Sequence, residues 1–213
     1  MTWGLGIIAI ASMLQGGTVI DQIAVVVGKH AIKTSDIGRD LRVTQFLNGQ
    51  PPDASVVQKR MAVERLIDQE LIRSDLAQSG NATRLTAEAK AVLDQLRAER
   101  FQNSENRMTA ELGRRGLSAA QLLDQLQWQL VVLRFIDQRF RPGVIVSDEE
   151  VRAYYEQHAA ELKRQYPGNN TPEDLMPRIR EIVEGERINR NFEDWLQQAR
   201  KTVRIEYKLG ELQ

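Results

Sequence analysis

Ser118-Ala119-Ala120-Gln121-Leu122-Leu123-Asp124-Gln125-Leu126-Gln127-Trp128-Gln129-Leu130-Val131-Val132-Leu133-Arg134-Phe135-Ile136-Asp137-Gln138-Arg139-Phe140 contains no glycine or proline before Pro142-Gly143. Ser118 and Gln121 have the spacing of a capping box, in which each side chain satisfies the other residue's free backbone N–H. The stretch therefore predicts a helix from Ser118 to about Arg139. Its middle, Leu130 to Ile136, is apolar nearly all round. A helix with no polar face belongs inside a protein, so the core is expected there.

Working upstream, Ser104 opens a short helix with Met108 and Leu112 that stops near Gly116, and Thr86 opens one with Val92, Leu93 and Leu96. Before them, Ser55 to Gln78 carries Val57, Met61, Leu66, Ile67, Leu71, Ile72 and Leu76 at helical spacings and ends at Gly80. Thr34 is the expected cap of a helix with Asp36 in its first turn, running to Asn48-Gly49 ahead of Pro51-Pro52. In front of that helix, Val19 to Val27 is β-branched and apolar. Gly28-Lys29 suits a two-residue turn, and His30 to Lys33 can pair back as a hairpin.

Downstream, Ser147-Asp148-Glu149-Glu150 is a second capping box, and Val151, Tyr155, His158 and Leu162 make one stripe on the helix it opens. Thr171-Pro172 opens the last helix, which reaches about Arg200. Val203, Ile205, Tyr207 and Leu209 then alternate with Arg204, Glu206 and Lys208 as a half-exposed strand does. The fold class is mainly α.

The last helix carries two apolar faces. At about 100° per residue, Leu175, Ile179, Ile182 and Val183 point one way and Ile188, Phe192, Trp195 and Leu196 nearly the opposite way. The change falls at Gly185. Either the helix kinks there, or its halves bury their faces against different bodies, in this chain or in a partner.

The composition excludes more than it identifies. The chain has 213 residues and no cysteine, so a disulfide-stapled scaffold is excluded. Its 42% apolar content suits one or two domains with a real core. Basic and acidic residues balance at 29 each, which gives no electrostatic case for nucleic acid.

Chemistry-bearing motifs are scarce. With two histidines, His30 and His158, the usual zinc sets cannot be assembled, and His158 is expected to be a satisfied core histidine. No nucleophile elbow and no phosphate-cradling glycine loop occurs, so no catalytic residue, metal site or cofactor is assigned. The acidic groups Asp148-Glu149-Glu150 and Glu173-Asp174 sit in first helical turns, where capping accounts for them. Asn81-Ala82-Thr83 and Asn169-Asn170-Thr171 match a glycosylation pattern that is common by chance.

Trp3 to Leu14 is an apolar stretch of about twelve residues, short of the roughly 20 that span a bilayer. It suits the apolar region of an export signal, with Ala9-Ile10-Ala11 or Gly16-Gly17 as candidate cleavage points. The competing reading is a buried terminal strand, which Gly4, Gly6 and Gly16-Gly17 suit badly. No Lys or Arg precedes Lys29, whereas export signals normally open with positive charge, so either the start lies upstream or the signal is weak.

Val19-Ile20-Asp21-Gln22-Ile23-Ala24-Val25-Val26-Val27-Gly28, followed by Thr34-Ser35-Asp36-Ile37, resembles the start of mature SurA-type periplasmic chaperones. Arg65 to Ile72 resembles that family's second helix, and Leu112, Gly116-Leu117 and Gln125 to Phe140 its central part. Val144 to Val151 with Tyr154-Tyr155 looks like the segment that leads into a parvulin domain in related foldases, and Phe192 to Leu196 with the Val203 strand like the segment that closes the core. The resemblance rests on the order of short motifs from about residue 18 to 209.

The resemblance implies a helical chaperone domain over 18–143 and a C-terminal part over 144–213 that completes the core, after a signal segment over 1–17. It also implies that the Val19 hairpin and the Val203 strand join in one small antiparallel sheet. Isomerase-active members insert a parvulin domain of roughly a hundred residues between the two last helices; here Lys163 to Asn170 intervene. The implied activity is therefore that of a periplasmic holdase, which binds unfolded secreted or outer-membrane proteins without catalysis. Phe101, Met108, Trp128 and Tyr154 are the candidate client-binding residues, since Met and aromatic side chains give large contact area without fixed geometry. The competing reading makes them ordinary core. Two other functions stay open: an assembly subunit docking through its two-faced last helix, and a prolyl isomerase. A core built from both chain ends also admits segment exchange between two copies, hence a homodimer.

Overall fold

The computed structural model describes residues 21–79, 85–166 and 171–212. The expected signal segment, Val19 and Ile20 of the first strand, Asn81 to Thr83 and Asn169-Asn170 lie outside the described residues. The elements run β1 (Ile23–Val27), β2 (His30–Lys33), α1 (Thr34–Leu47), α2 (Val56–Ser79), α3 (Thr86–Phe101), α4 (Glu105–Arg114), α5 (Ala119–Phe140), α6 (Asp148–Gln165), α7 (Pro172–Thr202) and β3 (Ile205–Tyr207). The described residues are mainly α with one small sheet, as expected.

Gly28 takes the left-handed conformation (φ +58°) between β1 and β2, and Lys29 does not, the pattern of a type II′ hairpin turn. The sheet order is β2-β1-β3, with β1 antiparallel to both neighbours. Val25 faces Tyr207 and Val27 faces Ile205 across the seam. The Gly28 N–H donates to the Arg204 carbonyl (2.8 Å) and the Lys208 N–H to that of Ala24 (2.8 Å). The hairpin and the last strand thus share one sheet, although β3 covers only the middle of the expected Val203 to Leu209 run.

Most helix starts follow their local signals. Ser118 with Gln121, Ser147 with Glu150 and Thr171 with Asp174 each form both bonds of a capping box, and Ser104 caps α4 through the Arg107 N–H. The start of α1 differs. Thr34 is the first helical residue rather than its cap, and the Asp21 carboxylate, from before β1, accepts the Ser35 N–H at 3.0 Å and the Thr34 hydroxyl at 3.0 Å. Asp36 accepts the Lys33 N–H at 3.0 Å. Carboxylates suit that position because the free N–H groups there carry partial positive charge. The Ser35 hydroxyl and N–H hold the Asp21 carboxyl below its usual range.

Among the described residues, three buried clusters make the core. The first packs the sheet on α1 and α2 through Val25, Ile32, Leu41, Val63 and Ile67, with Leu196 and Val203 against it. The second joins α1, α3, α4 and α5 through Phe46, Met108, Leu112 and Leu122. The third lies between α6 and the first half of α7 and uses Val151, Leu162, Leu175, Ile179 and Val183. We call the first two clusters and their elements the body, and the α6–α7 hairpin the arm.

Three expectations about the core are corrected. Within Leu130 to Ile136 only Phe135 is buried, and Leu133 is 62% exposed, because no described element covers that side of α5. On α2 the row that meets the sheet is Val63, Ile67 and Leu71, whereas Val57 and Met61 are 65% and 52% exposed. His158 is not a core residue: its side chain is 40% exposed and its ring stacks on Tyr154 with centroids 4.3 Å apart.

α7 runs uninterrupted through Gly185. Leu175, Ile179 and Val183 enter the arm's cluster, while Trp195 meets Phe135 (5.3 Å) and Leu196 leans on the body. The two faces of α7 thus pack against different bodies inside the chain, the second one only in part.

Candidate functional site

The uncovered side of α5 forms one wall of an open groove of about 480 Å³. α5 contributes Trp128, Val132 and Leu133, α2 contributes Ile72, and α7 contributes Phe192 and Leu196. These residues meet because the second half of α7 crosses both α2 and α5, held by aromatic contacts of Phe192 with Phe140 (5.8 Å) and of Trp195 with Phe135. Ridge-in-groove packing of three helices leaves an unfilled valley where no fourth helix lies on top.

Ion pairs brace the polar side of the groove. Asp40, 4% exposed at its side chain, takes Arg65 at 2.6 Å. Burial pushes its carboxyl up, against the pull of Arg65. Asp68 pairs with Arg200 at 2.6 Å, and burial raises its carboxyl too. Arg200 also reaches Glu64 at 2.5 Å, and the Tyr207 hydroxyl donates to Glu64 at 2.7 Å. Burial, and then the Glu64 carboxylate, push the Tyr207 phenol up to about 12. This network joins α2, α7 and β3. Among the described residues no buried side-chain nitrogen or oxygen lacks a hydrogen-bond partner, so the groove's apolar wall stands over a satisfied polar frame.

A second lobe of about 450 Å³ continues toward β2 and shares Asp40, Gln69, Gln125 and Trp128 with the first. Trp128 stands where the lobes meet, with the Arg73 guanidinium 4.4 Å from its ring centre. Another groove, about 430 Å³, lies between α1 and the C-terminal turn. Its Ile37, Leu41 and Leu212 are only 3–4% exposed, whereas Leu133 in the α5 groove is 62% exposed.

The four residues singled out from sequence do not form one site. Phe101 stacks on Phe46 at 6.1 Å, and Met108 is 1% exposed inside the second cluster. Tyr154 lies in the arm and donates to Glu186 at 3.3 Å. Only Trp128 lines the groove. Sequence reasoning passed over Val132, Leu133, Phe192 and Leu196. The signal was present in the all-round apolar run of α5, which has more apolar surface than its neighbours cover.

No cluster of three or more His, Cys, Asp or Glu side chains able to hold a metal ion occurs among the described residues. Among them, too, no helix is long and apolar enough to cross a membrane. What the groove can do chemically is accept apolar side chains into a lined but open channel. Compared with known proteins, the chain matches no family model and no curated protein.

Proposed function

We propose that this chain is a holdase-type chaperone of the SurA type, which binds unfolded secreted or outer-membrane polypeptides in the periplasm without catalysis. The observation that carries the reading is the open groove over α5, where Leu133 stands 62% exposed beside Val132, Phe192 and Leu196. Exposed apolar surface on a soluble protein costs solubility and calls for a partner. An open, partly lined channel suits unfolded chains, which present many different apolar side chains, better than it suits one small ligand.

The fold supports the same reading. The resemblance to SurA-type proteins rests on segments at both chain ends, and those segments meet in one sheet. The assembly-subunit alternative draws on the two faces of α7; the first packs against α6, and the second packs in part against α2 and α5 while Phe192 and Leu196 also line the groove.

Aggregation of an unfolded β-barrel protein diluted from denaturant tests the proposal. The expected result is suppression at a near-stoichiometric ratio of this protein to client. Absence of suppression at tenfold excess would sink it. A proline-limited refolding assay separates holding from isomerisation, and rate enhancement there would replace the holdase reading by a catalytic one.

A further inference from the structure

The two lobes that meet at Trp128 differ in chemistry. The lobe toward α7 is walled by aliphatic and aromatic side chains. The lobe toward β2 is lined by four carboxylates, Asp36, Asp40, Glu70 and Asp124, against two guanidiniums, Arg39 and Arg73. Three of the carboxylates are taken: Asp36 by Arg39 at 3.1 Å, Asp40 by Arg65 and Glu70 by Arg73 at 3.5 Å. Asp124 has no ion pair or side-chain hydrogen bond among the described residues.

Asp124 and Trp128 lie one turn apart on α5, and Val132 one turn further, so the three share a face. At 1.5 Å per residue, Asp124 and Val132 are about 12 Å apart along the helix. An extended peptide advances about 3.3 Å per residue and turns every second side chain to the same side. About four residues therefore span the distance, and side chains at i and i+4 both face the groove.

Resting on the holdase reading, we infer that the preferred client segment is extended, places an aromatic or aliphatic side chain in the lobe beside Leu133, and pairs a Lys or Arg about four positions away with Asp124. The apolar lobe supplies affinity and the free carboxylate supplies selection. An acidic residue at the same client position meets an already negative lobe and is disfavoured. The preference is electrostatic and largely exposed, so it is modest and falls with salt.

Fluorescence anisotropy on the full chain tests this with labelled peptides of about ten residues. All carry the same single aromatic residue, and the position four residues on is Lys, Gln or Glu. The Lys peptide is expected to bind about fivefold tighter than the Glu peptide, with Gln between them. That gap should shrink below about twofold in Asp124→Asn, an exposed position, and in roughly 0.5 M salt. Moving the Lys to the position next to the aromatic residue should remove its advantage. Equal affinities for all three peptides would overturn the charge preference and leave the groove reading standing. No binding by any of the three would overturn the groove reading itself.

Discussion

The body and the arm share α7, yet they are held together by different means. In the body, the sheet, α1 and α2 enclose Ile67 and Val63 completely, and Arg200, Glu64, Asp68 and Tyr207 tie α7 to α2 and β3. In the arm, α6 packs chiefly on α7, and the hairpin closes with exposed or half-exposed pairs such as Arg180 with Asp148 and Arg187 with Glu150. Such pairs contribute little each, so the arm depends on its small apolar cluster. A long helix can therefore pass from a cooperative core into a marginal one, and stability along it is not uniform.

The largest effect that separates the two regions is expected from paired core truncations. Ile67→Ala should lower the global unfolding free energy by about 3–4 kcal/mol, seen as a shift of the denaturant midpoint. Ile179→Ala removes an equally buried side chain, but the expected result is faster amide exchange confined to the arm with the body's protection retained. Equal loss of protection in both regions would show that the arm and the body unfold as one unit.

Next in size is the ion pair under the groove. Arg65→Met leaves the buried Asp40 carboxylate without its cation, and the half-exposed position of Arg65 moderates the cost to about 2–3 kcal/mol in thermal or chemical unfolding. A change below about 0.5 kcal/mol would mean that Asp40 is not desolvated in solution.

Acid sharpens the contrast because the buried carboxylates beneath the groove and the exposed one at the base of the arm respond with opposite sign. Asp40 and Asp68 are raised above their ordinary 3.8, so their ionisation opposes folding; the body gains from them as pH falls through the raised values toward 3.8. Glu150 at the base of the arm is held below its ordinary 4.5 by the Ser147 N–H and Arg187. Its stabilisation is present above 4.5 and is lost as pH falls through the lowered value. Residue-resolved NMR during an acid titration should show the start of α6 loosening before the segments of α1 and α2 around Asp40 and Asp68 do. The reverse order would break the assignment.

The smallest effect is expected at the seam. Tyr207→Phe removes one hydrogen bond to Glu64, which keeps Arg200, and should cost about 1 kcal/mol. The phenol holds its proton more tightly in the folded state, so the wild-type bond stabilises fully below the ordinary 10 and is lost as pH rises toward about 12. The mutant's deficit should disappear over the same interval.

Features that a few neighbouring residues decide were legible in the sequence. The Gly28-Lys29 turn, the boxes at Ser118, Ser147 and Thr171, and the two faces of α7 all follow from local spacing. The cap of α1 was not, since Asp21 reaches Ser35 across the whole hairpin. The groove was legible only in part. That α5 is too apolar can be read from Leu130 to Ile136, but which side stays open depends on where α2 and the second half of α7 cross it. Met108 and Leu133 are both apolar residues on helices; packing buries one and exposes the other.

The absence of cysteine makes the most direct test clean, because one introduced thiol is unique in the chain. Leu133→Cys places it in the groove, and Ile145→Cys places it on the arm's approach at 82% exposure, higher than the 62% of Leu133. Each variant carries a photo-crosslinker on that thiol and is mixed with an unfolded β-barrel protein. Strong crosslinking is expected from position 133 and little from position 145. Equal yields from both, or crosslinking from 145 alone, would contradict it.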